Sequence, residues 1–281
     1  MSAIPPPSVT NVEEYVEWAK GPIGVDFAAS EIKLAYKQNA TFIQTTAQDH
    51  DFFTNLENFL KDSSQAYLGK TGAELFMGDL PSPKLIVKPY ESVINKSFRY
   101  NVLENSNFPA PPPGDWASPN NWFLRFDDTV RSTMVCKFID GPLFLAEKLK
   151  EYAEGYGLVS RFASKQKDDG YYAYHYYVKL PVELFLSGAP TVVDVDIEIQ
   201  LSTQLQDVMY DITHRYYEGL RIQKEVDPGA WKWEVGSNRF RAGYLSHTLH
   251  LLEGIILELR NGDRPAVGAD EATPEVDDER T

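Results

Sequence analysis

Hydrophobic and polar residues alternate without a break from Val193 to Ser202, the most regular pattern in the chain. Successive side chains of a β-strand point to opposite faces of a sheet, so this segment is predicted to be a strand with one dry face. From Thr203, a predicted N-cap, the apolar spacing becomes that of a helix. The dry face carries Val193, Val195, Ile197, Ile199 and Leu201, and the polar face carries Asp194, Asp196, Glu198, Gln200 and Ser202.

The three carboxylates on the polar face lie within five residues of one another. Carboxylates are costly to bury unless a positive charge lies among them. A divalent cation would supply that charge, whereas a half-exposed strand with a solvated acidic face needs no ligand. The strand alone leaves both interpretations open.

The apolar spacing before residue 80 is helical. Asn11 is predicted to cap a first helix, and two further helices are predicted near residues 28–37 and 49–60. These helices carry no catalytic pattern, so they are expected to pack beside the sheet. Residues 104–121 are rich in proline and asparagine and are predicted to be a loop, which Phe108 and Trp116 could anchor to the surface.

Helices and strands alternate in the second half of the chain. A helix over residues 142–152 is followed by two strands, residues 158–164 and 171–180, which are joined by a turn at Gly170. A last helix is predicted over residues 244–260, with an apolar stripe on its buried face. That stripe consists of Leu245, Leu249, Leu252, Ile256 and Leu259.

Positive charge is concentrated between residues 84 and 100, where Glu91 is the only acid. A short strand over residues 85–87 is predicted to lead into a helix near Tyr90. Clustered cations beside a helix start suit phosphate groups, although an ordinary solvated basic face would have the same composition. The cations are Lys84, Lys88, Lys96 and Arg99, and Ser92, Lys96 and Arg99 share one side of the predicted helix.

The strand that begins at Tyr171 carries an aromatic ring and an imidazole on one face. An aromatic and His175, beside the lysines Lys165 and Lys167 of the preceding turn, could hold a base and a phosphate. Tyrosine-rich strands are also common in plain sheets, so this pattern alone decides nothing. The shared face is formed by Tyr171, Ala173, His175, Tyr177 and Lys179.

Composition restricts the class of protein. The 281 residues can form one large domain or two small ones, and no stretch is apolar for the length that a membrane helix needs. Cys136 is the only cysteine, which excludes an intrachain disulfide, and with no secretory signal pattern we expect a cytoplasmic protein. The net charge of -14 argues against general nucleic-acid binding, and part of it comes from residues 263–281, a predicted disordered tail.

Four short motifs follow one another along the chain, and the first lies in the basic segment of residues 84–100. Lys88, Ser92 and Lys96 form the pattern K-x-x-x-S-x-x-x-K. Asp128 follows at the start of a predicted strand.

The other two motifs lie on adjacent predicted strands. Residues 170–175 form G-Y-x-x-x-H, and residues 198–203 form E-I-Q-x-x-T, which runs into a helix carrying Asp211 and His214. In this order, over about residues 84–220, the four motifs resemble the synthetase domain of the RelA/SpoT family. The resemblance implies an α+β fold with a mixed sheet flanked by helices, a nucleotidyltransferase-like synthetase core.

The resemblance also implies an activity, the transfer of pyrophosphate from ATP to a ribose 3′-hydroxyl with Mg²⁺ as cofactor. On the ATP side, Asp128 and Glu198 would bind the metal, and Glu198 would also help to deprotonate the attacking hydroxyl. Such transfer depends on positioning and charge neutralisation, which suits these residue types. The ATP phosphates would be held by Lys88, Ser92, Lys96 and Arg99.

On the acceptor side, the resemblance implies that Tyr171 stacks on the acceptor base. His175 and Gln200 would support the acceptor, and Lys165 and Lys167 would lie near its phosphates. Three arginines of the family pattern are replaced, by Ile86, Thr133 and Ser202, and their loss predicts weaker or differently built phosphate contacts.

Three functions remain open at this stage. The first is a pyrophosphokinase acting on GDP or GTP to make an alarmone. The second is a toxin-like member that puts pyrophosphate on the 3′ end of tRNA, for which an antitoxin partner is an open question. The third is a non-catalytic nucleotide-binding module. The predicted organisation is a helical segment (1–80), a synthetase core (81–222), a helical extension (223–262) and the acidic tail, with a homo-oligomer as an open alternative.

Overall fold

The computed structural model describes residues 9–186, 188–220 and 229–262, and only the backbone of residues 214–220. Within these residues, five strands form one mixed sheet in the order β1-β2-β5-β4-β3. The β2–β5 pair is parallel and the other neighbours are antiparallel. The predicted α+β class is therefore confirmed. The strands are β1 Ile86–Val87, β2 Val130–Cys136, β3 Ser160–Gln166, β4 Tyr172–Leu186 and β5 Ala189–Thr203.

Helices precede, separate and follow the strands along the described part of the chain. A π-helical turn, Arg99–Leu103, follows α5, and a 3₁₀ turn, Ala230–Trp233, precedes α9. The α-helices are α1 Val12–Ala19, α2 Ser30–Asp49, α3 Asp51–Thr54, α4 Leu56–Thr71, α5 Tyr90–Phe98, α6 Trp122–Arg125, α7 Gly141–Gly155, α8 Gln204–Leu220 and α9 Asn238–Gly262.

The dry face of β5 lies in the core, as the alternation predicts. Ile197 and Ile199 have no exposed surface, and α7 covers this side of the sheet, where the Tyr176 hydroxyl donates to the Leu149 carbonyl at 2.9 Å. Burying a side chain of this size stabilises the fold by about 1.5–3 kcal/mol. Thr203 accepts a hydrogen bond from the backbone N–H of Gln206, which confirms the predicted cap of α8.

The β4–β5 hairpin is longer than the sequence predicts, because β4 continues through Pro181 to Leu186, whereas the predicted strand ends at residue 180. In the structure Pro181 pairs with Asp194 and lies beyond the end of β3. The backbone N–H of Lys179 points toward β3 and donates to the Val159 carbonyl. Position 181 faces the same side two residues later, where no described strand is paired with β4. Proline costs no ladder hydrogen bond at that edge.

The N-terminal helices and the proline-rich loop are tied together by one buried amide. Asn101 donates to the Tyr15 hydroxyl at 2.7 Å and to the Ala117 carbonyl at 2.9 Å, so α1 and the loop share a partner. Phe108 and Trp116 each pack against Trp18 with ring centroids 5.3 Å apart, as the predicted surface anchors. The predicted helix over residues 49–60 is divided at two positions: His50 is extended and caps α3 through Nδ1, and Asn55 separates α3 from α4.

The predicted buried face of α9 is wrong. Leu245 is 48% exposed and Leu259 is 66% exposed, and the buried positions are Ala242, Gly243, Ser246 and Glu253. Helical spacing identifies an apolar stripe, but it does not show which face of the helix packs against the rest of the protein. In α9 the packed face makes polar contacts. No helix of the described chain is both long enough and apolar enough to cross a membrane.

The predicted division of the chain stays a prediction. The boundary at residues 222–223 and the acidic tail, 263–281, lie outside the described residues, as does the side chain of His214. Helix α9 is fastened at its far end, where Arg260 pairs with Asp140 at 2.7 Å and donates to the Tyr67 hydroxyl at 2.6 Å.

Candidate active site

The pairing of β4 with β5 brings the predicted acceptor residues to the acidic side of the sheet. Cα partners across the pair include His175 with Gln200 and Tyr177 with Glu198. Because paired residues point to the same face, the imidazole and the carboxylate become neighbours. The alternation of each strand was visible in the sequence, but the register that joins the two strands was not.

Four side chains on this face form a continuous chain of hydrogen bonds, which we name the Tyr171–Glu198 network. The Tyr171 hydroxyl lies 2.8 Å from His175 Nε2, and His175 Nδ1 lies 2.6 Å from Glu198 Oε1. Gln200 donates to the other oxygen of Glu198 at 2.8 Å. Both oxygens of a carboxylate that is 2% exposed are thereby satisfied.

One arrangement of protons satisfies every bond of the network. A carboxylate only accepts, so a neutral His175 donates from Nδ1 to Glu198 and accepts at Nε2 from the Tyr171 hydroxyl. The Tyr177 hydroxyl lies 3.3 Å from the same Nδ1. Burial and, next, the charge of Glu198 raise the pKa of Tyr177, so this phenol keeps its proton.

A second cluster forms where β1, α5 and the start of β2 meet. Lys88 Nζ lies 2.5 Å from Asp128 Oδ2, and Lys96 Nζ lies 2.7 Å from Asp128 Oδ1. Lys96 also approaches Asp127 at 3.3 Å. The predicted phosphate-binding lysines and the predicted metal-binding aspartate therefore lie in direct contact.

Lys88 and Lys96 both contact Asp128, the more buried of the two aspartates in this cluster. Burial alone would raise the pKa of Asp128, but the charges of Lys96 and Lys88 overcome it and hold that pKa well below its usual range. Burial lowers the pKa of Lys88, whose 8% exposure leaves little contact with water, and Asp128 opposes that shift only in part. The positive charge of buried Lys88 is therefore only partly compensated by Asp128, which suits a further anion beside it.

The remaining basic candidates lie around these clusters. Ser92 lies on α5 one turn before Lys96, whereas Arg99 begins the π-helical turn, so the regular spacing of the predicted basic face ends there. Lys167 Nζ lies 5.5 Å from the centroid of the Tyr171 ring. Lys165 is exposed on β3 and lines a separate cavity of about 270 Å³ under Tyr172.

A cavity of about 230 Å³ opens beside Tyr171, between the sheet and α8. Thr133 and Ser202, two of the positions at which the sequence resemblance implies arginine, line it with short side chains. The cavity is closed by residues that the sequence did not single out for the site. They include Gln206, Asp207 and Tyr210, beside Asp211 and Gln200.

The carboxylate at the α8 side of this cavity is partly withdrawn from water. Burial and, next, the charge of Asp211 raise the pKa of Asp207. The Tyr210 ring lies 6.4 Å from the Tyr171 ring, centroid to centroid. A ligand placed on Tyr171 would therefore meet hydrogen-bond acceptors at its edge.

Sequence reasoning also missed the guanidinium groups of this face. Arg161 forms a two-pronged pair with Asp196, at 2.6 and 3.1 Å, and lies 4.3 Å from the centroid of the Tyr177 ring. Arg131 is the Cα partner of Glu198 across the β2–β5 pair. The alternation of β3 puts Arg161 and Lys165 on one face, a signal that the sequence does contain.

The carboxylates suit Mg²⁺ in chemical type. Asp128 and Glu198 offer hard oxygen ligands, and protein sites for Mg²⁺ often supply only one or two carboxylates together with substrate phosphates. In the described part of the chain, no three His, Cys, Asp or Glu side chains are grouped as a metal site. This donor set fits a metal that enters with a phosphate ligand.

No family model matches the sequence, and no curated protein matches it. Solved structures that the chain is similar to include the small alarmone synthetase 2 from Bacillus subtilis, at 20% identity over 81% of this chain and 98% of that one, with a TM-score of 0.48. The small alarmone synthetase 1 from the same organism, bound to its product pppGpp, is 16% identical over 83% and 96% of the two chains, with a TM-score of 0.46.

A GTP pyrophosphokinase family protein from Streptococcus pneumoniae is also similar, at 16% identity over 84% of this chain and 97% of that one, with a TM-score of 0.44. The identities and TM-scores describe similarity of the backbone only. The functional argument below therefore rests on the side chains of this protein.

Proposed function

We propose that this protein is an ATP-dependent pyrophosphotransferase with a guanine nucleotide, GDP or GTP, as acceptor. The observation that carries the proposal is the Tyr171–Glu198 network, which joins an aromatic platform to a buried carboxylate. A base stacked on Tyr171 would bring its ribose toward the sheet, where Glu198 lies. The resemblance of the four sequence motifs points to the same activity.

The ATP phosphates would bind at Lys88 and Lys96. Both lysines contact Asp128 in the structure, so phosphate oxygens would replace that carboxylate as their partner. The released Asp128, with Glu198, would hold Mg²⁺, which neutralises charge on the phosphates when bound. This exchange of partners gives the contact of the two lysines with Asp128 a role.

In the reaction, the ribose 3′-oxygen of the acceptor forms a bond to the β-phosphorus of ATP. The bond between that phosphorus and the oxygen bridging to the α-phosphate breaks, and AMP leaves. Glu198 accepts the hydroxyl proton. His175 holds the Glu198 carboxylate in place through Nδ1, at 2.6 Å.

The cavity beside Tyr171 favours guanine over adenine. Guanine presents N–H donors at N1 and N2 on its Watson–Crick edge, and Asp207 and Asp211 supply acceptors beside the platform. Adenine has no N1–H donor and would leave a carboxylate unpaired. The acidic lining is less suited to the phosphate backbone of a nucleic acid.

The second candidate is transfer to the 3′ end of tRNA. It is favoured by the basic segment of residues 84–99, which could contact phosphates of an RNA chain. An acidic protein is a poor general binder of RNA, and we therefore rank this function below the first. The two differ in the acceptor and share the ATP side.

Purified protein incubated with γ-³²P-labelled ATP and Mg²⁺ tests the proposal, with GDP, GTP, ADP and bulk tRNA offered in parallel. The γ label stays in the transferred group, so label should appear on GDP or GTP. Label on tRNA would instead support the second candidate, and label on ADP would overturn the role of the two aspartates. No transfer by folded protein would overturn both candidates and favour a binding module.

A further inference from the structure

Helix α9 reaches the turn that precedes Tyr171. Ser246 donates a hydrogen bond from its hydroxyl to the Gly170 carbonyl, and His247 Nε2 lies 2.9 Å from the Asp168 carbonyl oxygen. The turn also closes on itself, since the Gly170 N–H donates to the Lys167 carbonyl. The residue directly before Tyr171 is therefore held by a helix from the far end of the chain.

The residue directly after Tyr171 is held by the same helix. The Tyr172 hydroxyl lies 2.7 Å from His247 Nδ1, and the rings of Tyr172 and His250 are stacked with centroids 3.7 Å apart and planes 3° from parallel. A neutral His247 that donates from Nε2 to Asp168 accepts at Nδ1 from Tyr172. The His247 imidazole thus contacts residues that precede and follow Tyr171 in the sequence.

Backbone packing leaves no room for adjustment at this contact. Gly170 has φ of +91°, and a Cβ there would lie 2.7 Å from Ser246 Cβ and 2.9 Å from the Gly243 carbonyl oxygen. A Cβ at Gly243 would lie 2.8 Å from the ring of Trp231, which is 2% exposed. The 3₁₀ turn, α9 and the turn before Tyr171 are stacked in three tight layers.

We propose that α9 acts as a clamp that presets the acceptor platform, with Ser246 and His247 as positioning residues for Tyr171. This inference rests on the proposed function in one respect, namely that Tyr171 contacts the acceptor. The path of the effect runs from His247 through Asp168 and Tyr172 to Tyr171. It does not pass through the lysine pair at Asp128, so ATP binding should be insensitive to it.

The test compares His247→Ala with Thr248→Ala in the full chain. Thr248 is exposed on α9, and its hydroxyl donates to the Tyr244 carbonyl of its own helix, so it is a matched control. His247→Ala should raise the KM for GDP about tenfold, the effect of losing one or two ordinary hydrogen bonds, and leave the KM for ATP unchanged. His247→Gln, which can donate and accept across the same gap, should restore most of the GDP affinity.

An unchanged GDP KM in His247→Ala, or an equal rise in the KM of both nucleotides, would overturn the clamp. Hydrogen exchange on the same proteins gives an answer even if the chain transfers no pyrophosphate. The clamp predicts faster exchange at the Lys167 and Gly170 amides in His247→Ala but not in Thr248→Ala. Equal exchange in the two variants would disprove the clamp, whereas faster exchange without transfer would disprove only the proposed function.

Discussion

Glu198 Oε1 lies 2.6 Å from His175 Nδ1, across the pairing of β5 with β4. This contact connects the most buried acid of the polar face to the residue that binds the Tyr171 hydroxyl. Under the proposed function, the carboxylate that takes part in the chemistry and the ring that contacts the acceptor belong to one hydrogen-bonded unit. Variants of its members can separate the two roles.

Tyr171→Ala and Tyr171→Phe separate stacking from hydrogen bonding. If a base stacks on the ring, removal of the ring should weaken acceptor use by about 1–3 kcal/mol. Tyr171→Phe keeps the ring and loses the hydroxyl that bonds to His175 Nε2, so it should remain close to the unaltered protein. Acceptor kcat/KM for the two variants is the measurement, and equal losses in both would show that the hydroxyl matters rather than the ring.

Asp128 should make the stability of the folded protein depend on pH in the acidic range. Its folded pKa is depressed by Lys96 and Lys88, so the stability that it contributes is present above the unfolded pKa of about 4 and is lost as the pH falls below that value. Asp128→Asn should be less stable at pH 7 by about 3 kcal/mol, because buried Lys88 loses its anion and Lys96 is left with the longer contact to Asp127. It should also lose less stability than the unaltered protein on acidification.

Urea unfolding of both proteins between pH 7 and pH 3 measures this effect. The two stability curves should converge as the pH falls. Parallel curves over that range would mean that the contact between Asp128 and the lysines is not formed in solution.

Gly170→Ala tests the tight turn before Tyr171. The residue has a left-handed backbone, and a methyl group would press on Ser246, so we expect a loss of about 1–3 kcal/mol. Gly236→Ala is the control, since a Cβ at Gly236 meets open space and no left-handed φ is involved. Thermal unfolding measures both, and equal melting temperatures would argue against this turn geometry.

The sequence predicted whatever depends on local alternation. The dry face of β5, the cap at Thr203 and the strand pair on either side of Gly170 all follow from spacing and turn chemistry within a few residues. The pairing of His175 with Gln200 could not be predicted, because register is set by two strands that are separated along the chain. Motif order suggested which strands to join, but it does not give distances.

The failure at α9 has a different cause. Its leucines repeat at helical spacing, which is the usual sign of a buried stripe, yet Leu252 and Ile256 are each 44% exposed. The packed face of α9 carries Gly243, Ser246 and His247. These residues stabilise the contact through close approach and hydrogen bonds rather than through hydrophobic burial. Periodicity does not detect such contacts.

The most direct measurement compares pyrophosphate transfer by Glu198→Gln and by the unaltered protein, with labelled ATP, Mg²⁺ and GDP. Gln keeps the size of the side chain and removes the charge that would accept the proton and bind the metal, so transfer should fall by about 100-fold or more while the melting temperature changes little. Asp194→Asn, at an exposed position on the same face of β5, is the control and should keep its activity. Near-normal transfer by Glu198→Gln would contradict the central claim that this buried carboxylate performs the reaction.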